Sequence, residues 1–288
     1  MADARFERAD FHGHPLLHPP YDRKFGLERY TTISLERGIT LPPTTDFGIE
    51  GRFQGFYEDA VPRSWDKQRF EHGFVVYDEF GNRTIYFFSE EVPTRDGHLL
   101  LVGLEKPVQA GMPLEDTLTE AEDQGAIIVA DHALIPGIRG GLGKEQVVKY
   151  RERLHALESN AQVTNMFGRF SFGIFRQRPN NEAIYELGRE LGLPVVACSD
   201  FHMAYIGWLP FFNGKASLRK DYGATYTEFR PLGDNNSAWR DDVKEIVRAH
   251  NFEITHRYAG GLTNFRWQLP SMLLSLAYAT GMRKRRPD

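Results

Sequence analysis

The sequence predicts an α/β fold, with βα units set around a parallel sheet or barrel. Two observations predict it. Apolar strand-like runs alternate with helical patterns through the middle of the chain. Three of these runs also end in metal-friendly side chains: Asp10-Phe11-His12-Gly13-His14, then the run from Ala126 to Asp131 and His132, then the run from Pro194 to Ser199, Asp200, Phe201 and His202. A buried strand has no use for an unpaired His or Asp. The mouth of an α/β barrel does, because its catalytic groups collect at the C-terminal ends of the strands.

Pro- and Thr-rich loops at 15–23 and 39–46 follow the first motif. Runs at 73–78 and 83–89 flank a turn-like stretch at 78–82 and predict a hairpin. Glu91 lies just past it, and His98 opens an apolar strand through Leu104. Leu114, Leu118 and Ala121 share a helical face that Gly125 terminates, and the strand at 126–130 follows. The spacing of Val147, Val148 and Leu154 predicts a helix over 144–157. The aromatic, Gly-broken stretch at 167–175 fits neither period. Ile184, Leu187 and Leu191 mark another helix, Gly192 stops it, and a strand at 194–198 comes next. Residues 222–230 read as a strand. Ser237 reads as the cap of a helix to about His250, with Val243, Ile246 and Val247 inward. Residues 268–280 read as a docked C-terminal helix. No linker marks a separate second domain. Residues 1–210 are expected to form the main domain, and 211–288 an extension that completes or caps it.

The 288 residues are 41% hydrophobic and 26% charged, an ordinary balance for a globular chain. A formal net charge of -4 argues against membrane attraction or strong duplex nucleic-acid binding. The basic run at 283–286 reads as a solvated tail. Cys198, the single cysteine, allows no intrachain disulfide and reads as a strand-core residue rather than a nucleophile. With no signal-peptide-like start and no run of about 18 apolar residues, a cytoplasmic location is expected.

Strand side chains alternate with period two, so His12 and His14 point to the same side and can grip one ion. Asp200 and His202 share that spacing. Imidazole and carboxylate together suit Zn²⁺, Mn²⁺ or Fe²⁺ better than Ca²⁺. Glu91 offers two oxygens that can bridge a pair of ions; the plainer reading is an exposed hairpin-end acid, like its neighbour Glu90. His98 is either a ligand or a surface residue before a strand. Glu158 is either the partner of a ligating histidine or a helix-end charge. The Gly-rich loop at 137–144 is not a Walker motif: its spacing is one residue too long, and Glu145 replaces Ser/Thr.

The order of these motifs over residues 8–208 resembles the polymerase and histidinol phosphatase (PHP) superfamily. That family's Asp-x-His-x-His matches Asp10 to His14. Its Thr-Asp-His matches Thr45-Asp46-Phe47, with Phe47 in the histidine's place. Its Glu-Val and Gly-His elements match Glu91-Val92 and Gly97-His98. Its Ala-His-Pro matches Asp131-His132-Ala133, with only the histidine kept. Glu158-Ser159-Asn160 matches Glu-x-Asn, and Ser199-Asp200-Phe201-His202 matches Ser-Asp-Ala-His. The resemblance implies a distorted (β/α)7 TIM-like barrel with a C-terminal extension, carrying two or three divalent ions of Zn, Mn or Fe. It implies that His12, His14, Glu91 and Asp200 hold the first ion, and Glu91, His98 and His132 the second. Of a third site only His202 is kept, with His18 or Asp46 as substitutes.

The function so implied is a metal-dependent phosphoesterase acting on a small phosphorylated molecule or a nucleotide or oligonucleotide end through a metal-bridging hydroxide. Arg139, Lys144 or Arg176 would neutralise the phosphoryl oxygens, and Asp46 or His202 would relay the proton. Two other readings stand beside it. One is an amidohydrolase-type amide or lactone hydrolase, weakened by the lack of a strand-end lysine. The other is a non-catalytic metal-bearing module that binds a ligand or partner, which the loss of the third-site histidine at Phe47 favours.

Overall fold

The fold is taken from a computed structural model, which describes residues 6–14, 27–45, 64–134, 141–160, 177–202, 222–223 and 225–256, with 177–179 and 201–202 as backbone alone. Its centre is a five-stranded sheet. In spatial order this is β10 (Val195–Cys198), β9 (Ala156–Asn160), β8 (Ile127–Ala130), β7 (His98–Val102) and β6 (Ser89–Pro93). β10, β9 and β8 run parallel, whereas β8, β7 and β6 pair antiparallel.

Both faces of this sheet are buried, as its nearly unbroken apolar strands require. Alternation divides them. Leu99 and Leu101 of β7 join Ile128 and Ala130 of β8 on one face. Leu100, Val102, Ile127 and Val129 line the other. The first face is covered by α1 (Leu27–Glu36), α2 (Leu114–Asp123), α3 (Gly143–Lys149) and α4 (Gln177–Leu191), through Tyr30, Leu118, Val147 and Ile184. The second is covered by α5 (Trp239–Arg248), through Trp239, Val243, Ile246 and Val247.

Two three-stranded antiparallel sheets flank the centre. One joins β1 (Glu7–Ala9), β12 (Tyr226–Phe229) and β13 (Phe252–Thr255). The other joins β3 (Asp66–Phe70), β4 (Gly73–Tyr77) and β5 (Arg83–Phe87). The β4–β5 turn is the expected hairpin: Asp78 accepts the Asn82 N–H at 2.8 Å, and Gly81 supplies a φ of 78°. A short parallel pair, β2 (Gly13–His14) and β11 (Phe201–His202), sets the backbone of His202 opposite that of His14.

The expected (β/α)7 TIM-like barrel is not what forms. The described strands fall into four separate sheets, none of which closes on itself, with five helices among them. A β/α barrel needs every neighbouring pair parallel, joined through a crossover helix. Here β6 turns directly into β7 through a tight turn in which the Thr94 N–H bonds Gly97 O at 2.9 Å, so the chain reverses and the parallel order is lost.

The helix predicted over 144–157 is also shorter. α3 stops at Lys149, a 3₁₀ turn spans Arg151–Arg153, and Ala156–Asn160 is a buried strand. Ser237 does not cap α5; its hydroxyl bonds the Asn235 side chain, and Ala238 occupies the cap. Gly125 and Gly192 do adopt positive φ where α2 and α4 end. Residues 167–175 and 268–280 lie outside the described residues. Among the described residues, no helix is long and apolar enough to cross a membrane.

Candidate metal centre

From within β6 and β9, from the start of β7, from beyond the ends of β8 and β10, and from beside β2, acids and imidazoles from distant parts of the chain meet. His12 and His14 arrive with the i, i+2 spacing of an extended segment, and their rings lie 5.1 Å apart, edge to face. Glu91 enters from β6, His98 from the first residue of β7, and Glu158 from the middle of β9.

Asp131 and His132 follow β8, and Asp200 follows β10. Two of these three residues carry backbone that side chains rarely adopt: φ is +27° at His132 and +46° at Asp200. Such strain persists only where the surroundings impose it, and it concentrates at functional sites. At His132 it breaks the strand alternation, so that neighbouring Asp131 and His132 meet on one side, Oδ2 to Nε2 at 3.1 Å.

Glu91 lies between two groups. Its Oε2 is 3.1 Å from His14 Nε2 and 3.9 Å from His12 Nε2. Its Oε1 is 2.5 Å from His98 Nδ1 and 3.2 Å from His132 Nε2. On the Oε2 side, Asp200 Oδ1 stands 3.5 Å from His12 Nε2 and 3.7 Å from His14 Nε2.

Supporting residues fix these groups. His12 Nδ1 donates to Glu158 Oε1 at 2.8 Å, and Glu158 Oε2 accepts the His132 backbone N–H at 2.8 Å. Asn160 donates to Asp200 Oδ2 at 2.8 Å. Asp10 accepts both the N–H and the hydroxyl of Ser199, and the Asp200 N–H bonds His12 O, which ties the first motif to the last.

The electrostatics call for cations. Burial opposes a charge on His12, yet the carboxylates of Asp131, Glu158 and Asp200 together raise its pKa well above the ordinary value. Burial also opposes charge on Glu91, but hydrogen bonds from His132, His14 and His98 hold it well below the usual carboxylate range. Glu158 is lowered to about 2: burial is outweighed by His12 and by its hydrogen bonds. Burial raises Asp10 to about 7, against the two Ser199 hydrogen bonds.

The donor set fits divalent metal. In its neutral form, as a metal ligand must be, His12 with its Nδ1 proton directed at Glu158 turns an Nε2 lone pair inward, 3.2 Å from His14 Nε2. Tetrahedral donors about 2 Å from an ion stand roughly 3.3 Å apart, which is the spacing found here. Three subsets bring ligand atoms within 4.8 Å of one another: Glu91, His98, Asp131 and His132; His12, His14 and Asp200; and His12, Asp131 and Glu158.

Six of the sequence-derived candidates therefore share one site: His12, His14, Glu91, His98, His132 and Asp200. Asp46, Phe47, Arg139, Arg176 and His18 lie outside the described residues, and His202 is described as backbone only. Lys144 is exposed and pairs with Glu190 at 2.8 Å on the surface. Cys198 is buried in β10, where burial raises its thiol well above the ordinary value. Asp131 stands with His132 in the strand-end motif of the sequence but was assigned no ligand role there; a strict alternation rule points it away from its neighbour's side.

No family model matches the chain, and no curated protein matches it. Solved structures do share its fold. PsfC from Pseudomonas syringae aligns with a TM-score of 0.57 at 16% identity, over 97% of this chain and 100% of that one. The lesion-specific endonuclease Q of Pyrococcus furiosus aligns with a TM-score of 0.50 at 12% identity, over 86% of this chain. Endonuclease Q in complex with a 27-mer duplex substrate carrying an abasic lesion gives 0.51 at 12% identity, over 85% of this chain. The chain spans 57% of the length of each endonuclease Q chain. These likenesses show a shared fold alone.

Proposed function

We propose that the protein is a metal-dependent phosphoesterase that cleaves a phosphate ester of a small molecule or of a nucleotide or oligonucleotide end. One observation carries the reading: the two oxygens of Glu91 face two separate groups of imidazoles, 3.1 Å from His14 on one side and 2.5 Å from His98 on the other. A carboxylate so placed serves a pair of ions. His12, His14 and Asp200 would hold one with Glu91; His98 and His132 would hold the other with Glu91. Two divalent ions of Zn, Mn or Fe, when bound, would supply Lewis acidity, water activation and charge neutralisation for in-line displacement at phosphorus.

The chain's own residues prepare that chemistry. Glu158 takes the Nδ1 proton of His12 and aims its other nitrogen inward. Asn160 fixes the rotation of the Asp200 carboxylate. In this reading Arg139 meets the phosphoryl oxygens, and Asp46 or His202 passes a proton to the leaving oxygen. The fold likeness to a lesion-specific endonuclease makes a DNA phosphodiester a substrate to try beside a phosphomonoester.

The test is hydrolysis by the full chain, with and without Mn²⁺, of p-nitrophenyl phosphate and of a duplex with an abasic site. Metal-dependent turnover of either is expected, and His14→Ala and Asp200→Ala should abolish it and release metal from a folded chain. Bound metal with no turnover of either ester would favour a non-catalytic module, and lactone or amide hydrolysis instead would favour amidohydrolase chemistry.

A further inference from the structure

We propose that Asp131 is a fourth protein ligand for the ion beside His98 and His132, so that this ion is held by Glu91, His98, Asp131 and His132. The inference deepens the metal-dependent reading above and rests on it. Alanine stands at this position in the motif that the sequence resembles, so the carboxylate is a departure from that pattern.

Three observations support it. First, Asp131 is fully buried, and neither of its oxygens has a hydrogen-bond partner among the described residues. A buried carboxylate left in that state is costly. Second, Oδ2 lies 3.1 Å from His132 Nε2, which is itself 3.2 Å from Glu91 Oε1. With His98 Nδ1, these atoms form a set of four within 4.8 Å of one another. Third, a role for Asp131 as the acceptor that orients His12 is already filled. Its Oδ1 lies 3.1 Å from His12 Nδ1, but that nitrogen has one proton, and Glu158 takes it at 2.8 Å. Glu158 also accepts the His132 N–H, so it has two donors where Asp131 has none.

Charge points the same way. Glu91, Asp131, Glu158 and Asp200 bring four carboxylates into one buried site. Two divalent cations carry the matching charge. Without Asp131 the second ion would have two neutral imidazoles and a share of one carboxylate; with it, that ion gains a carboxylate of its own. An ion with four protein donors resembles a tightly held resident ion more than an exchangeable one.

The experiment loads the full chain with Zn²⁺ or Mn²⁺, measures bound metal by elemental analysis, and follows release to a chromophoric chelator. About two equivalents are expected, one of them leaving slowly. Asp131→Asn keeps the shape and removes the ligand charge; it should speed the slow phase by roughly 10–100-fold or more and drop retained metal to about one equivalent. Asp131→Ala should do the same, with circular dichroism checking the fold of both. Unchanged slow release in a folded variant overturns the assignment while leaving the metal site standing. Wild-type protein that binds no metal overturns the assignment and the phosphoesterase reading together. A crystal structure of the Mn²⁺-loaded wild type is decisive without any variant: an ion about 2.0–2.3 Å from Asp131 Oδ2 supports the assignment, and one beyond bonding reach sinks it.

Discussion

The parallel strands β8 and β9 end very differently. Ahead of their first residues, charged and polar side chains meet backbone. Arg240 donates to Gln124 O at 2.7 Å, Lys244 donates to Gly125 O at 2.9 Å, and His155 Nδ1 accepts the Ile128 N–H at 2.9 Å. Toward their other ends, charged side chains meet one another: Asp131 and His132 after β8, and Glu158 within β9, join His12, Glu91, His98 and Asp200. At the first end the fold supplies its own counter-groups, and the contact is a joint that seats α5 on the end of α2. At the second end the counter-charge is missing, because histidines alone do not balance four buried carboxylates. That difference separates a structural end from one whose side chains could hold cations.

Metal loading should sharpen the contrast most. An ion present at about 100 times its dissociation constant adds about 2.7 kcal/mol to folding stability, and two ions twice that. Urea denaturation with and without Mn²⁺ measures this. Glu91→Ala should remove nearly all of the increment, because its two oxygens serve both groups; a full increment in that variant would break the comparison.

Arg240→Met tests the opposite end. It leaves the Gln124 carbonyl and His72 Nδ1 without their donor. The expected loss is about 1–3 kcal/mol with and without metal, at unchanged metal affinity. A change in metal affinity would show that the two ends are coupled.

Glu158→Gln removes the negative partner of His12 and should weaken metal binding by about 10–100-fold with little change in the fold, read by competition with a chelator.

The smallest effect concerns pH. Burial, with help from Arg248 and Lys244, lowers His155 from 6.5 to about 3. The unfolded chain therefore binds more protons between these values, so stability is present above pH 6.5 and falls as pH drops through that window. His155→Gln, which keeps an acceptor for Ile128, should flatten the fall between pH 6.5 and 4. An identical pH profile in wild type and variant would show that His155 is not held neutral.

Much of the site was legible because each motif is local. The His12/His14 pair announces itself by spacing, and the runs before His132 and Asp200 announce themselves as buried strands that end in polar residues. Asp131 stood in a strand-end motif, but its place beside His132 was hidden for a physical reason: a strand points neighbours to opposite sides, and only the left-handed backbone of His132 sets Asp131 and His132 together. Asn160 and Glu158 were harder to place because the helix expected over 144–157 overlaps the first two residues of β9 and sets Glu158 at a helix end. Val147, Val148 and Leu154 fit a helical period, yet Val148 is exposed, and the chain turns extended once β9 finds β8 and β10 on either side. The expected barrel failed for a similar reason. Whether a strand runs parallel or antiparallel depends on how its connection turns, and the tight turn between β6 and β7 is not visible in apolar runs.

The sequence alone determined which side chains could ligate a metal, and it set the alternation that buries both faces of the central sheet, because residue type and period are local properties. The tertiary structure decided which acid meets which imidazole, how the strands divide among four sheets, and that Asp131 lacks a donor. Those outcomes depend on contacts between segments more than 100 residues apart, such as His12 with Glu158, which no local pattern encodes.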